Sequence, residues 1–157
     1  MSNTIQPAAP SLADRYAIVV AQWNRSVTGK LFEGAVATLT AAGVPDHQIE
    51  VAWVPGSWEI PIVAQRMAAS ARYAAVICLG AVVRGETSHD QHINRGVSLA
   101  ISQIALQFDL PVLLGILTCE SMEQAIDRAG GKHGNKGREC AEAALTMVGL
   151  LKNLPTA

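Results

Sequence analysis

YAAVICLGAVVRGETSHDQHINRGVSLAISQIALQF, from Tyr73 to Phe108, decides the fold. Its opening run, Ala74 to Leu79, is wholly apolar and too short for a helix, which reads as a strand buried on both faces. The chain then turns through Gly80 to Gly85. Beyond the turn, Ile93, Val97, Ile101, Ile104 and Phe108 trace one stripe of a long helix. The polar segment Arg84-Gly85-Glu86-Thr87-Ser88-His89 therefore sits where a parallel strand hands over to a helix. In open α/β sheets that edge, at the carboxyl ends of the strands, is where ligands bind.

The same alternation extends both ways. Tyr16–Ala21 (YAIVVA) and Ile49–Val54 read as strands upstream, and Val112–Leu117 as a fourth after Pro111. Leu31, Ala35, Leu39 and Ala42 mark a helix that stops at Gly43. Pro61 fits the first turn of another, running to about Ser70. Ser121-Met122-Glu123-Gln124 is a capping-box pattern for a short helix to about Arg128, which Gly130 and Gly131 break. The last helix runs from about Lys136 to Leu151. Residues 1–14 carry two prolines and no periodicity, and read as an arm. The remainder, 15–157, reads as a single α/β domain. Its expected architecture is a three-layer α-β-α sandwich on a four-stranded parallel sheet, flavodoxin-like. Right-handed crossovers bring the loops Gln22–Asn24, Pro55–Glu59, Ala81–His89 and Thr118–Ser121 to one edge.

Composition narrows the function. Half of the 157 residues are hydrophobic, 16% are charged and the net charge is −1, which argues against a nucleic-acid binder, whose phosphate contacts need clustered Lys and Arg. No apolar run is long enough to span a bilayer. MSNTIQPAAP has neither a basic start nor an apolar core, so no signal peptide is expected. Cys78, Cys119 and Cys140 are an odd number without C-x-x-C, consistent with free thiols in a reducing cytoplasm.

Several side chains are candidates for chemistry. His89 lies in the polar loop, and histidine's ordinary pKa of about 6.5 suits proton transfer at neutral pH; an idle exposed histidine would look the same. His92, Glu86 and Asp90 lie near enough to raise a metal site, but two histidines without a clear third ligand are weak evidence. His47 and His133 have no partners in sequence and read as surface residues. Glu86-Thr87-Ser88 offers N–H groups and hydroxyls to an anion, or simply caps the helix. Arg128 could clamp a phosphate or merely end a helix favourably. The stretch from Gly130 to Gly137 (GGKHGNKG) fails the spacing of a nucleotide P-loop and follows a helix, not a strand. Trp53 alternates with Val51 and reads as core. Trp23 and Trp58 fall in the edge loops, where an indole stacks on a flat heterocycle or packs against another subunit.

Read as an ordered set, the motifs resemble the lumazine synthase family. They are Gln22-Trp23-Asn24, the run Trp53 to Pro61 (WVPGSWEIP), the run Leu79 to His89 (LGAVVRGETSH), Gly115-Ile116-Leu117-Thr118, and Glu123 to Gly130 with Gly134-Asn135-Lys136-Gly137. The resemblance spans about residue 16 to 152. It implies condensation of 5-amino-6-(D-ribitylamino)uracil with 3,4-dihydroxy-2-butanone 4-phosphate, giving 6,7-dimethyl-8-ribityllumazine, phosphate and water in riboflavin biosynthesis. It implies no cofactor and no metal. By position, His89 matches the family's proton-transfer histidine and Trp23 the aromatic stacked on the pyrimidine. Ser57, Trp58 and Glu59 match the ribityl-binding turn, and Ala81, Val82 and Val83 the strand end that reads the pyrimidine edge through its main chain. Glu86, Thr87 and Arg128 match the phosphate pocket, Glu86 through its backbone N–H, and Lys136 is a further candidate for the site.

The sequence departs from the family pattern at two places. Asp90 and Gln91 follow His89 where an aromatic and then an acidic residue are common. Leu114 stands where a neighbouring subunit often offers phenylalanine, which leaves Trp23 the main aromatic contact. Family sites lie between adjacent subunits of a pentamer, and some members close into an icosahedral 60-mer. The short stretch Ala129 to Gly137 favours the shell, and association with a riboflavin synthase fits the same pathway. Two rivals use the same edge: a module that holds FMN without turnover, and a shell protein whose site has decayed.

Overall fold

The computed structural model describes residues 1–156. Four parallel strands form its centre: β1 (Tyr16–Ala21), β2 (Ile49–Val54), β3 (Ala75–Val83) and β4 (Val112–Cys119), in the order β2-β1-β3-β4. The helices are α1 (Arg25–Ala41), α2 (Ile60–Ala69), α3 (His89–Phe108), the short α4 (Met122–Asp127) and α5 (Lys136–Asn153). Side chains alternate across a strand, so β1 splits its residues between two cores. Tyr16, Ile18 and Val20 pack with Leu31 and Leu39 of α1 and Ala141 and Ala144 of α5. Ala17, Val19 and Ala21 pack with Ile60 and Ala64 of α2 and Val97 and Ile101 of α3. The three layers expected from the sequence are therefore present, with an aliphatic side chain at most sheet positions.

Several boundaries differ from the sequence reading. β3 does not turn at Gly80 but continues to Val83, and β4 continues past Leu117 to Cys119. Glycine inside a strand marks close approach of other atoms. A Cβ on Gly80 would lie 2.5 Å from Ser57 Oγ and 3.3 Å from Ile60 Cδ1, so the absent side chain is what lets the β2–α2 turn sit on the strand. The long helix begins at His89, ahead of its first apolar stripe residue. α4 ends at Asp127, ahead of Gly130 and Gly131, which belong to a hairpin, β5 (Ala129–Gly131) against β6 (Gly134–Asn135). Trp53 is half-buried at the margin of the core, not inside it. Its ring meets Phe32 edge-on at 5.5 Å and lies 4.3 Å beneath the Arg25 guanidinium.

The arm is held by the last helix. Ala8 N–H donates to the Gly149 carbonyl at 2.9 Å, Asn153 Nδ2 to the Gln6 carbonyl at 2.8 Å, and Lys152 pairs with Asp14 at 2.6 Å. A Cβ at Gly149 would come within 2.2 Å of the Ala8 carbonyl oxygen, so the crossing needs glycine there.

Candidate active site

β1 pairs with β3 only as far as Val20 and Leu79, whereas β3 runs on beside β4 to Val83. The last residues of β3 therefore have one side without a strand partner. The β1–α1 turn fills part of that gap. Gln22 N–H donates to the Val54 carbonyl at 2.7 Å and Trp23 N–H to the Pro55 carbonyl at 3.0 Å. Asn24 adopts the left-handed region at φ 61°, and its Nδ2 donates to the Ala81 carbonyl at 3.0 Å. These bonds hold the Trp23 indole at the rim, 66% exposed. Its ring lies on Gly56, where a Cβ would approach within 2.5 Å.

The β2–α2 turn is fixed from within. The Glu59 carboxylate accepts the Gly56 N–H at 2.9 Å. Ser57 is buried, and its Oγ has no hydrogen-bond partner among the described residues. Trp58 turns onto α3: a Cβ on Gly96 would meet its ring at 2.8 Å. The Trp23 ring, from the β1–α1 turn, lies against this turn at Gly56.

His89 opens α3 at a hollow of about 200 Å³ that Val82, Val83, Gly85, Thr87 and Asp90 also line. The imidazole is exposed. Ser88 occupies the N-cap position without a side-chain bond, and the Thr87 hydroxyl accepts the His89 N–H at 3.4 Å. Capping here is weak, which leaves first-turn N–H groups for an anion. Glu86 is exposed and forms no ion pair among the described residues. Arg84 is directed away, to Glu120 at 3.0 Å, and that hydrogen bond raises its pKa further, followed by the charges of Glu120 and Asp90. Asp90 Oδ1 and, one turn on, Asn94 Oδ1 are buried without partners among the described residues.

A second hollow, of about 480 Å³, lies beyond the end of β4 and is lined by Thr118, Cys119, Asp127, Arg128, His133 and Lys136 among others. Here the Ser121 hydroxyl caps α4, accepting Gln124 N–H at 3.2 Å, while Gln124 Oε1 accepts the Glu120 N–H at 2.8 Å. The expected capping box thus forms with its return bond one residue early. Arg128 and the β5–β6 hairpin follow. The hairpin needs φ of 102° at Gly130 and 81° at Gly134, which glycine adopts without strain. His133 N–H donates to the Asp127 carbonyl at 2.9 Å and Lys136 N–H to the Arg128 carbonyl at 2.8 Å. Asn135 ties the hairpin to two helices, through Nδ2 to the Lys30 carbonyl at 3.0 Å and as N-cap acceptor for Arg138 N–H at 3.1 Å. At Gly137 a Cβ would sit 1.8 Å from the Leu31 carbonyl oxygen, so α5 starts in backbone contact with α1. Burial pushes the Cys119 thiol pKa up, and Arg128 partly offsets it.

Within the single chain these residues do not form one cavity. Val82, Val83, Thr87 and His89 share the first hollow, and Arg128 and Lys136 the second. Leu114 is 45% exposed on edge strand β4 and borders a third hollow with Asn94 and Ser98. The first two hollows are nonetheless neighbours, because Val83 pairs with Cys119 at the strand ends. His133 departs from its reading as a plain surface residue: it is exposed, but on the wall of the second hollow. The glycine pattern that defines the hairpin was the available signal. His47 is exposed. Among the described residues no three His, Cys, Asp or Glu side chains group as a metal would require, and no helix is long and apolar enough to cross a membrane.

Comparison with known proteins places these residues in context. Residues 13–152 match the family described as 6,7-dimethyl-8-ribityllumazine synthase. Proteins of that name from two strains of Coxiella burnetii, CbuG_Q212 and RSA 493 (Nine Mile phase I), are each 49% identical over 140 residues, covering 89% of this chain and 93% of theirs.

Proposed function

The chain belongs to the 6,7-dimethyl-8-ribityllumazine synthase family of transferases, and from that premise we propose that it condenses 5-amino-6-(D-ribitylamino)uracil with 3,4-dihydroxy-2-butanone 4-phosphate. The products are 6,7-dimethyl-8-ribityllumazine, phosphate and water. An amine attacks the ketone to form an imine, phosphate leaves, and a second carbonyl condensation closes the ring. Each step moves protons, and His89, the imidazole of the first hollow, is the group that transfers them. Trp23 stacks on the pyrimidine, whose edge is read by the main chain of Ala81, Val82 and Val83. Ser57, Trp58 and Glu59 hold the ribityl chain, Trp58 through its backbone. Arg128, Thr87 and the Glu86 N–H take the phosphate, with Lys136 beside Arg128.

One observation carries this reading. The proton-transfer group and the anion-binding cations stand on neighbouring hollows at one edge of the sheet, and a single protomer does not join them. An adjoining copy that brings Arg128, Lys136 and Leu114 up to His89 completes the site. Exposed Leu99 and Leu106 on α3 and Leu114 on β4 supply apolar surface for that contact. A pentamer closed further into a 60-mer shell, in the cytoplasm and with a riboflavin synthase as associate, belongs to the same proposal. So does the division into arm (1–14) and one catalytic domain (15–157). Mixing the two substrates with the purified protein tests the reaction: fluorescence of the lumazine product is expected, and its absence overturns the proposal. Sedimentation tests the assembly; a species of pentamer mass alone removes the shell.

A further inference from the structure

We propose that His133 is a third anion-binding group of the Arg128 pocket and sets affinity for the phosphorylated substrate. The inference rests on the phosphate assignment above and adds a residue to it. The hairpin turn between Gly131 and Gly134 contains two residues, Lys132 and His133. Both are exposed, but His133 lines the hollow with Arg128 and Lys136, and Lys132 does not. The bond from His133 N–H to the Asp127 carbonyl, at 2.9 Å, fixes which turn residue faces inward.

The chemistry of the wall favours an anion with several oxygens. A guanidinium offers a planar fork and an ammonium a point charge, while an imidazole adds a ring N–H donor. Two carboxylates oppose them. Asp127 lines the same hollow, and Glu139 holds Lys136 Nζ at 3.3 Å. With Lys136 half engaged by Glu139, the anion draws more on Arg128 and His133.

The test compares His133→Ala, His133→Gln and Lys132→Ala with the parent, in the full chain. Inorganic phosphate serves as the probe, beside steady-state kinetics for both substrates. His133→Ala is expected to raise the KM for the butanone phosphate and the inhibition constant of inorganic phosphate about fivefold, as for one exposed hydrogen bond. The KM for the pyrimidine should stay within about twofold, since that substrate does not reach the hairpin. His133→Gln, which keeps a donor, should recover part of the loss, and Lys132→Ala should match the parent. Equal phosphate affinity in His133→Ala and the parent, or no phosphate binding by the parent, overturns the inference. Should the parent bind phosphate but form no lumazine, the condensation falls, and calorimetric phosphate affinity of His133→Ala against the parent still decides the role of His133.

Discussion

At the amino end of the sheet, Arg15, Glu50, Arg72 and Tyr73 close on one another; at the carboxyl end, Trp23, His89, Arg128 and His133 do not. Glu50 accepts from Arg15, from Tyr73 and, at 2.8 Å, from Arg72. Those partners hold its carboxyl below the usual range, the Tyr73 hydrogen bond foremost and the two arginines with it, against partial desolvation. Nothing comparable ties down His89 or Arg128: neither forms an ion pair among the described residues. One sheet thus has a sealed end and an open one. Polar groups that satisfy each other stabilise the fold, and groups without partners remain available to a ligand.

Substitutions at the two ends should break different properties. The largest effect is expected at His89. His89→Ala should lower kcat by about a hundredfold or more, the usual contribution of a positioned acid–base group, with unchanged sedimentation. Parent-like turnover would remove His89 from the chemistry. Arg128→Ala comes next: KM for the butanone phosphate should rise at least about tenfold, from loss of a charge-assisted bond, with little change for the pyrimidine. Gly80→Ala lies under the open end and probes packing. Its Cβ would crowd Ser57 Oγ at 2.5 Å, so a loss of about 1–3 kcal/mol in denaturant unfolding is expected, as for other overpacked sites. Glu50→Gln should lower the melting midpoint modestly while sparing turnover, because its network is partly solvated and distant from the strand termini proposed to bind substrate.

Acid sharpens the contrast. Glu50 has a folded pKa below its unfolded value of about 4.3, so its contribution is present above that value and lost as pH falls through the folded one. Alkali acts through Tyr16, whose pKa burial, with help from Asp14, pushes up to about 12. Its contribution is complete below the unfolded value of about 10 and is lost as pH rises through the folded one. Thermal melts of the parent and Glu50→Gln should therefore differ most above the unfolded value of about 4.3 and draw together as pH falls through the depressed folded one.

Much of the fold was legible because apolar runs and stripes record burial directly. Tyr16–Ala21 and Ile49–Val54 are strands with the bounds their composition suggested. Gly80 misled because glycine is both a turn residue and a residue of close contact, and only the Ser57 approach distinguishes the two. The hairpin at Ala129–Asn135 was hidden because its strands are too short to alternate. The candidate side chains were chosen from the sequence by type and by their place in the polar loops after buried strands. Their division between two hollows was not, because it depends on which face of β3 and β4 each loop leaves. Trp58 shows the same limit: its loop position suggested an edge aromatic, and the bare surface of Gly96 drew it onto α3 instead.

Gly137 has a consequence for the energetics of recognition. Because α5 begins with its backbone against the Leu31 carbonyl, the hairpin that carries His133 and leads into Lys136 is clamped before any ligand arrives. The conformational entropy of ordering that segment is lost during folding, not on encounter. Anion affinity should then be governed by how much water the three side chains give up, and a bulkier residue at 137 would act as a loosening of the mount even though it touches no substrate.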